Sequence, residues 1–349
     1  MSGWEATLAA RDRNRMTSPF DWGLAWARHW PTAPAAAATD DDDPGAYLVR
    51  LNREVVRDSD RFFGYEPPVD FAFEDGALTF TSAVATPYPE NNVVRADCFE
   101  APGSRRAVVL VPHWNASVRQ HLALARAIRV LGISVLRLTP PYHGYRAPAG
   151  LQRAEYAVSA NVCRTIDATR QAVVDIRSCC DWLQQRGYTS LGVVGISLGA
   201  CYGFLAAAHD ARFTVNTFSH LGTSFADIVW TGVSTRHIRE GLEPAIDIAQ
   251  LRAVWGLLSP VSYVTQFART ERRSLFIRTR YDTTVFPTFS EQLMDAARRH
   301  RWPHREVVLP CGHYTSGEPP FKFLIGYHLC SFLKRHLRDG GPYRLTNAG

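Results

Sequence analysis

The sequence predicts an α/β fold in which a mostly parallel β-sheet is covered on both faces by helices, with a helical insertion in its second half. Three observations carry that prediction. From Leu78 onward, short apolar runs rich in β-formers alternate with amphipathic helical stretches, the order of repeated strand and helix units. AVVLVP (107–112) is an uninterrupted apolar run, as a strand buried on both faces requires. LGVVGIS (191–197) passes into the small-residue stretch LGACYGFLAAAH (198–209) with only a sharp turn between them.

Taken in order, LTFTSAVATP and NNVVRADCFEA read as opening strands, followed by AVVLVP, the helix VRQHLALARAIRV and the strand ISVLRLTP. A long helix is expected over 166–186, because Ile166, Val173, Ile176, Cys180 and Leu183 recur at three- to four-residue steps and Gly187 follows as a C-cap. After the 191–209 junction come the strand FTVNTFSH, a Trp-containing stretch that reads as two or three helices over 221–270, the strand SLFIRTRYD and the helix TFSEQLMDAARRH. The strand REVVLP and a last helix over 321–337 close the pattern. The segment 221–270 is the expected lid.

Ahead of this body, SPFDWGLAWARHW (18–30) predicts a short docked helix capped by Ser18. PTAPAAAATDDDDPG (31–45) has little to bury and reads as a linker. Its four aspartates lack the alternating spacing and central glycine of a calcium loop. The expected organisation is an N-terminal helix and linker over 1–45 and one domain over 46–349.

With 349 residues, 46% of them hydrophobic, the chain can bury one large core. The net charge of +6 comes from arginines scattered over the predicted helices and not from a basic block, so no nucleic-acid partner is expected. Seven cysteines form an odd set without metal or disulfide spacing and are expected to be reduced. No charged segment, apolar run and small-residue cleavage site stand at the N-terminus, so a cytoplasmic address is expected. The most apolar late segment, 321–333, contains Lys322 and His328 and is shorter than the roughly 20 residues of a membrane span.

The chemistry gathers at Gly195-Ile196-Ser197-Leu198-Gly199, a G-x-S-x-G pattern set where a buried strand meets a small-residue helix. That strained turn thrusts the Ser197 hydroxyl into a pocket. A serine hydroxyl is a weak nucleophile at neutral pH, so a histidine must take its proton and a carboxylate must orient the histidine. Asp282 directly follows the strand SLFIRTRY, and His313 follows REVVLP within Cys311-Gly312-His313-Tyr314, where Gly312 is expected to permit a tight bend. His220, His300 and His304 compete for the role by proximity in sequence, but His220 precedes the acid in the chain and His300 lies on a helix. For Asp282 the simpler reading is a cap of the next helix, and for His313 a loop histidine held by backbone. A tetrahedral oxyanion needs two aimed N–H donors: Leu198 supplies one, and Trp114 or Asn115, after AVVLVP, the other. His113, and Tyr142 and His143 in the Pro140-Pro141-Tyr142-His143-Gly144 segment, are expected near the mouth of the site as substrate contacts.

The elbow from Gly195 to Gly199, Asp282, His313 and the PHWN loop resemble the α/β-hydrolase superfamily over roughly 78–337. Within it, the segments VPHWN, LTPPYHG and LPCGHYT are similar to the α/β-hydrolase domain 18 proteins. The resemblance implies acyl transfer to water through an acyl-enzyme with no metal or organic cofactor, and leaves ester, thioester or amide open; the expected function is a serine esterase, carboxylesterase- or lipase-like, acting on a small-molecule or lipid acyl ester. The chain departs from the common pattern in having Pro112-His113-Trp114 where a His-Gly pair often sits, which leaves the second oxyanion donor open. A peptidase or an acyltransferase uses the same triad, and a catalytically silent binding protein can keep the fold. A complete Ser, acid, His set in the expected order speaks against the last.

Overall fold

The computed structural model describes residues 2–12, 15–32 and 43–338. Nine strands form one sheet: β1 (Ala72–Glu74), β2 (Ala77–Thr81), β3 (Val93–Phe99), β4 (Arg106–Val111), β5 (Ser134–Leu138), β6 (Ser190–Ile196), β7 (Phe213–Ser219), β8 (Arg273–Thr279) and β9 (His304–Leu309). Their spatial order is β1-β2-β3-β5-β4-β6-β7-β8-β9. The pairings up to β3 with β5 are antiparallel, and all those beyond are parallel. The expected mostly parallel, doubly covered sheet is what forms.

The alternation of side chains along the strands divides the core in two. On β4, Ala107, Val109 and Val111 join the larger cluster with residues of the helices Val162–Gln185 and Leu198–Ala208. Val108 and Leu110 face the other way, into a cluster with the helices Leu122–Val130 and Phe321–His336. A strand buried on both faces has no polar side to show, which is why AVVLVP is continuous in sequence.

The helix Val162–Gln185 begins four residues before its apolar periodicity, because the Asn161 side chain caps it by accepting from the Arg164 N–H at 2.9 Å. It ends at Gly187, whose φ of 83° closes the last turn. Within it Asp175, wholly buried, pairs with Arg146 at 2.8 Å and accepts from Ser82 at 2.7 Å. The same guanidinium donates to the carbonyls of Asn91 and Thr139, fixing the segment that follows β5.

The N-terminal part differs from its expectation. A helix forms earlier, at Ser2–Ala9, while 18–30 is helical only over Leu24–Ala27. Long-range bonds hold the rest of that segment extended: Asp21 accepts from the Val162 N–H at 2.9 Å and from Asn161 Nδ2 at 2.6 Å. The expected linker 31–45 lies mostly outside the described residues, but its last aspartate, Asp43, caps an unanticipated helix at Pro44–Arg57, accepting from the Ala46 N–H at 2.8 Å. Tyr47, Leu48, Leu51 and Val55 form the buried face of that helix.

Between β7 and β8 the chain makes four short helices, Phe225–Thr231, Arg236–Leu242, Ile248–Trp255 and Val264–Ala268. Trp255 of this insertion is completely buried, so its aromatic content is partly core. All seven cysteines are unbridged, and five are buried. Among the described residues no helix is long and apolar enough to cross a membrane.

Candidate active site

The turn from β6 into the helix Leu198–Ala208 places Ser197 at φ 53°, ψ −117°, a conformation that a non-glycine residue holds only when its surroundings enforce it. The Ser197 N–H is tied to the Ser219 carbonyl at the end of β7, at 2.8 Å. Both flanking glycines are needed for close approach. A Cβ on Gly195 would lie 2.5 Å from the Ala200 Cα, and one on Gly199 would lie 2.2 Å from the Val111 carbonyl oxygen and 2.3 Å from that of Pro112. The second approach brings the start of the helix against the loop that leaves β4.

Ser197 Oγ lies 3.1 Å from His313 Nε2, and His313 Nδ1 lies 3.0 Å from Asp282 Oδ2. Three residues far apart in sequence, each just past the carboxyl end of a strand, thus form one hydrogen-bonded line. Asp282 is buried, and its Oδ1 accepts from the N–H groups of Thr284 at 2.9 Å and Val285 at 2.7 Å, while Thr279 Oγ1 donates to Oδ2 at 3.1 Å. It therefore braces the turn after β8 and faces His313 at the same time; it does not cap the next helix, Pro287–Arg299, whose N-cap is Phe286.

His220 also reaches this acid. Its Nδ1 lies 2.9 Å from Asp282 Oδ2 and its Nε2 lies 3.0 Å from Ser316 Oγ, which in turn donates to the His313 carbonyl. Sequence order set His220 aside, yet the parallel pairing of β7 with β8 puts residue 220 next to residue 282. Its place immediately after a strand end was the signal available.

The electrostatics follow from burial and these contacts. Burial drives the Asp282 carboxyl pKa up, but the neighbouring His313 and His220 outweigh it and hold the group well below the usual carboxylate range. Burial opposes a charge on His313, but Asp282, with a further contribution from Glu5, raises its pKa above that of a free histidine. His220 moves the other way, because burial and the nearby His313 favour its neutral form. His220, Asp282 and His313 also present ligand atoms within 4.8 Å of one another, as a metal site would. Each of the two imidazoles is hydrogen-bonded to Asp282 in the arrangement just described.

The loop after β4 supplies the facing wall. The Leu198 and Trp114 N–H groups have no acceptor among the described residues, whereas the Asn115 N–H donates to His143 Nε2 at 3.0 Å. Of the two alternatives for a second oxyanion donor, Trp114 is thus the one left unpaired. Its ring is held by donation from Nε1 to the Ala154 carbonyl at 2.9 Å and by stacking on His237 of the insertion, with centroids 5.8 Å apart.

A cavity opens at Ser197. Its walls are mainly apolar, including Leu198, Leu221, Phe225, Ile228 and Val285, and much of the lining comes from the 221–270 insertion. His113, Tyr142 and His143 do not line it, contrary to the expected substrate contacts. His143 is buried, with Nδ1 on the Pro141 carbonyl at 2.8 Å and Nε2 on Asn115, so both ring nitrogens are committed to the loop itself. Burial lowers its pKa to about 4, consistent with a neutral ring. Tyr142, fully buried at φ 65°, joins the cluster against which Trp114 packs. His113 pairs with His121 at 2.8 Å, and burial, followed by His121, lowers its pKa to about 3.

Comparison with known proteins agrees with this architecture. The family described as alpha/beta hydrolase domain containing 18 matches residues 114–239. No curated protein matches the sequence. Among solved structures, the chain is similar to the uncomplexed acylaminoacyl peptidase of Pyrococcus horikoshii, with a TM-score of 0.58 and 13% identity over 77% of this chain and 43% of that one. It is also similar to a puromycin-hydrolyzing peptidase of Mycobacterium tuberculosis, with a TM-score of 0.55 and 15% identity over 75% of this chain and 44% of that one. A lipase in its open form gives a TM-score of 0.54 and 14% identity over 74% of this chain and 97% of that one. The chain spans less than half the length of the two peptidases. These likenesses show an α/β-hydrolase fold.

Proposed function

From the premise of an α/β-hydrolase fold, we propose that the protein is a serine hydrolase that cleaves an ester-type acyl bond, carboxylesterase- or lipase-like, through an acyl-enzyme on Ser197. The observation that carries this reading is the unbroken line from Ser197 Oγ to His313 Nε2 at 3.1 Å and from His313 Nδ1 to Asp282 at 3.0 Å. In the proposed mechanism His313 takes the Ser197 proton as Oγ bonds to the acyl carbon, and Asp282 stabilises the imidazolium that forms. The Leu198 and Trp114 N–H groups receive the oxyanion. The tetrahedral adduct collapses as His313 returns the proton to the leaving oxygen, and water, deprotonated by the same histidine, then releases the acid.

The apolar wall around Ser197 supports an acyl chain as the part of the substrate held in the cavity. Such a lining offers few partners for a peptide backbone, which favours esters over peptides. The reading sets the protein among soluble enzymes acting on small-molecule or lipid acyl esters in the cytoplasm.

The test is treatment with a fluorophosphonate followed by peptide mapping, since this reagent modifies a serine only when a working base and oxyanion site activate it. Stoichiometric modification of Ser197, lost in Ser197→Ala and in His313→Ala, is the expected result. Asp282→Asn should lower turnover by roughly a thousandfold or more with the fold retained. A well-folded protein that stays unmodified would instead favour a silent binding module.

A further inference from the structure

The residue that grips the His313 turn comes from the other end of the chain. Glu5, in the helix Ser2–Ala9, is only 1% exposed. Its Oε1 accepts from the Tyr314 N–H at 2.9 Å, and its Oε2 accepts from both the N–H and the hydroxyl of Thr315, each at 2.9 Å. Thr315 Oγ1 in turn accepts from the Gly312 N–H at 2.7 Å. One carboxylate thereby engages the two residues that follow His313 and, through Thr315, the residue that precedes it.

Gly312 is explained by the same contact. It was expected to permit a tight bend, but it is not among the glycines with positive φ. A Cβ on it would instead lie 2.3 Å from Glu5 Cδ, so the position is kept clear for the incoming carboxylate. The following residues reinforce the placement: Arg15 donates to the Tyr314 hydroxyl and to the Val233 carbonyl of the 221–270 insertion, both at 2.7 Å, and Asp12 pairs with Arg153 at 2.6 Å.

A buried carboxylate is costly unless charge-assisted hydrogen bonds satisfy it, and here the donors are the backbone of the turn that carries the proposed base. We propose that Glu5 is a positioning residue for the hydrolytic site, holding the 312–315 turn so that His313 Nε2 stays within reach of Ser197. The N-terminal segment is then part of the machinery and not an appendage to it. This proposal rests on the serine-hydrolase reading for its kinetic consequence, but its structural content stands apart.

Glu5→Gln in the full chain is the decisive variant. It keeps the shape but turns one acceptor into a donor facing N–H groups, so the turn loses part of its grip. The expected result is a kcat about 10- to 100-fold lower, with KM within about twofold and the folded fraction unchanged by near-ultraviolet circular dichroism. Removing a negative charge should also move the acid limb of the kcat profile to lower pH. The other groups facing His313 are Asp282, His220 and His113, and they are untouched by the substitution. A merely structural brace would lower the melting temperature but leave kcat per folded molecule and the acid limb as in the parent, and that result overturns the proposal.

Thr315→Val, which keeps Glu5 and removes one of its partners, should shift kcat in the same direction by a smaller factor, and it serves if Glu5→Gln does not fold. Unchanged kcat in this variant counts against the proposal. To separate the two readings, the low-field proton on His313 Nδ1 can be followed by NMR and identified by its loss in His313→Asn. Its displacement or broadening in Glu5→Gln upholds the positioning role even in a protein that hydrolyses nothing. A resonance that does not move overturns that role whatever the activity.

Discussion

His220 Nδ1 stands 2.9 Å from Asp282 Oδ2, so the carboxylate that faces His313 is shared with a second, buried imidazole. The contact adds a second imidazole to the groups that hold the Asp282 carboxylate. His220→Phe keeps a ring in the space but removes the bonds to Asp282 and Ser316. A hydrogen bond to a charged group contributes about 1.5–3 kcal/mol, so turnover should fall roughly 10- to 100-fold. Turnover equal to that of the parent on the same ester would show that Asp282 is held well enough by Thr279, Thr284 and Val285.

The pH profile follows from His313. Burial favours its neutral form, but Asp282 and, at longer range, Glu5 outweigh this and raise its pKa. A general base must be neutral to accept a proton, so kcat/KM should increase as pH rises through that raised pKa. The midpoint of the acid limb should lie above about 6.5, the value of an unperturbed histidine. A midpoint clearly below that would mean the base is not paired with Asp282 in the working enzyme.

Acyl preference should depend on the insertion. Ile228, at the cavity wall on the helix Phe225–Thr231, can be enlarged without breaking a hydrogen bond. In Ile228→Trp, long acyl esters should lose about tenfold or more in kcat/KM relative to short ones, each methylene in an apolar pocket being worth about 1–3 kcal/mol. A panel of esters graded by chain length reads this directly. An unchanged ranking would place the acyl chain elsewhere.

Acid should destabilise the fold through histidines held neutral. Burial lowers the pKa of His121, His143 and His209 to about 4 and that of His113, also beside His121, to about 3. In the unfolded chain each binds a proton below about 6.5, so as pH falls from there toward 4 the unfolded state takes up more protons than the folded one. Stability present above about pH 6.5 is therefore lost across that window, at most about 2 kcal/mol for each residue on reaching pH 5. Thermal melts at pH 7 and pH 5 test this, and equal melting temperatures would show that these rings become accessible and charged without cost.

Among solved structures of similar architecture, peptidases and a lipase stand side by side, so the sheet alone does not select a chemistry. The selection rests on what surrounds Ser197: the Trp114 and Leu198 N–H groups, the line through His313 to Asp282, and the apolar insertion.

The sequence by itself determined the parallel core and the elbow, because both are written in local pattern. AVVLVP and LGVVG are apolar without interruption since each strand is buried on both faces, and Gly195 and Gly199 are required by contacts within a few residues of the turn and with β4. It also pointed to Asp282 and His313 through their places at strand ends, which the structure brings together. The contacts of His220, His143 and Glu5 are set only in the tertiary structure. His220 meets an acid 62 residues away, and Glu5 meets Thr315 across 310 residues. No periodicity or spacing records such contacts, because they arise when the register of neighbouring strands and the docking of the N-terminal helix are set by the packed core. The same packing turned His143 inward to hold the Asn115 N–H, where its place after a strand end had suggested a substrate contact.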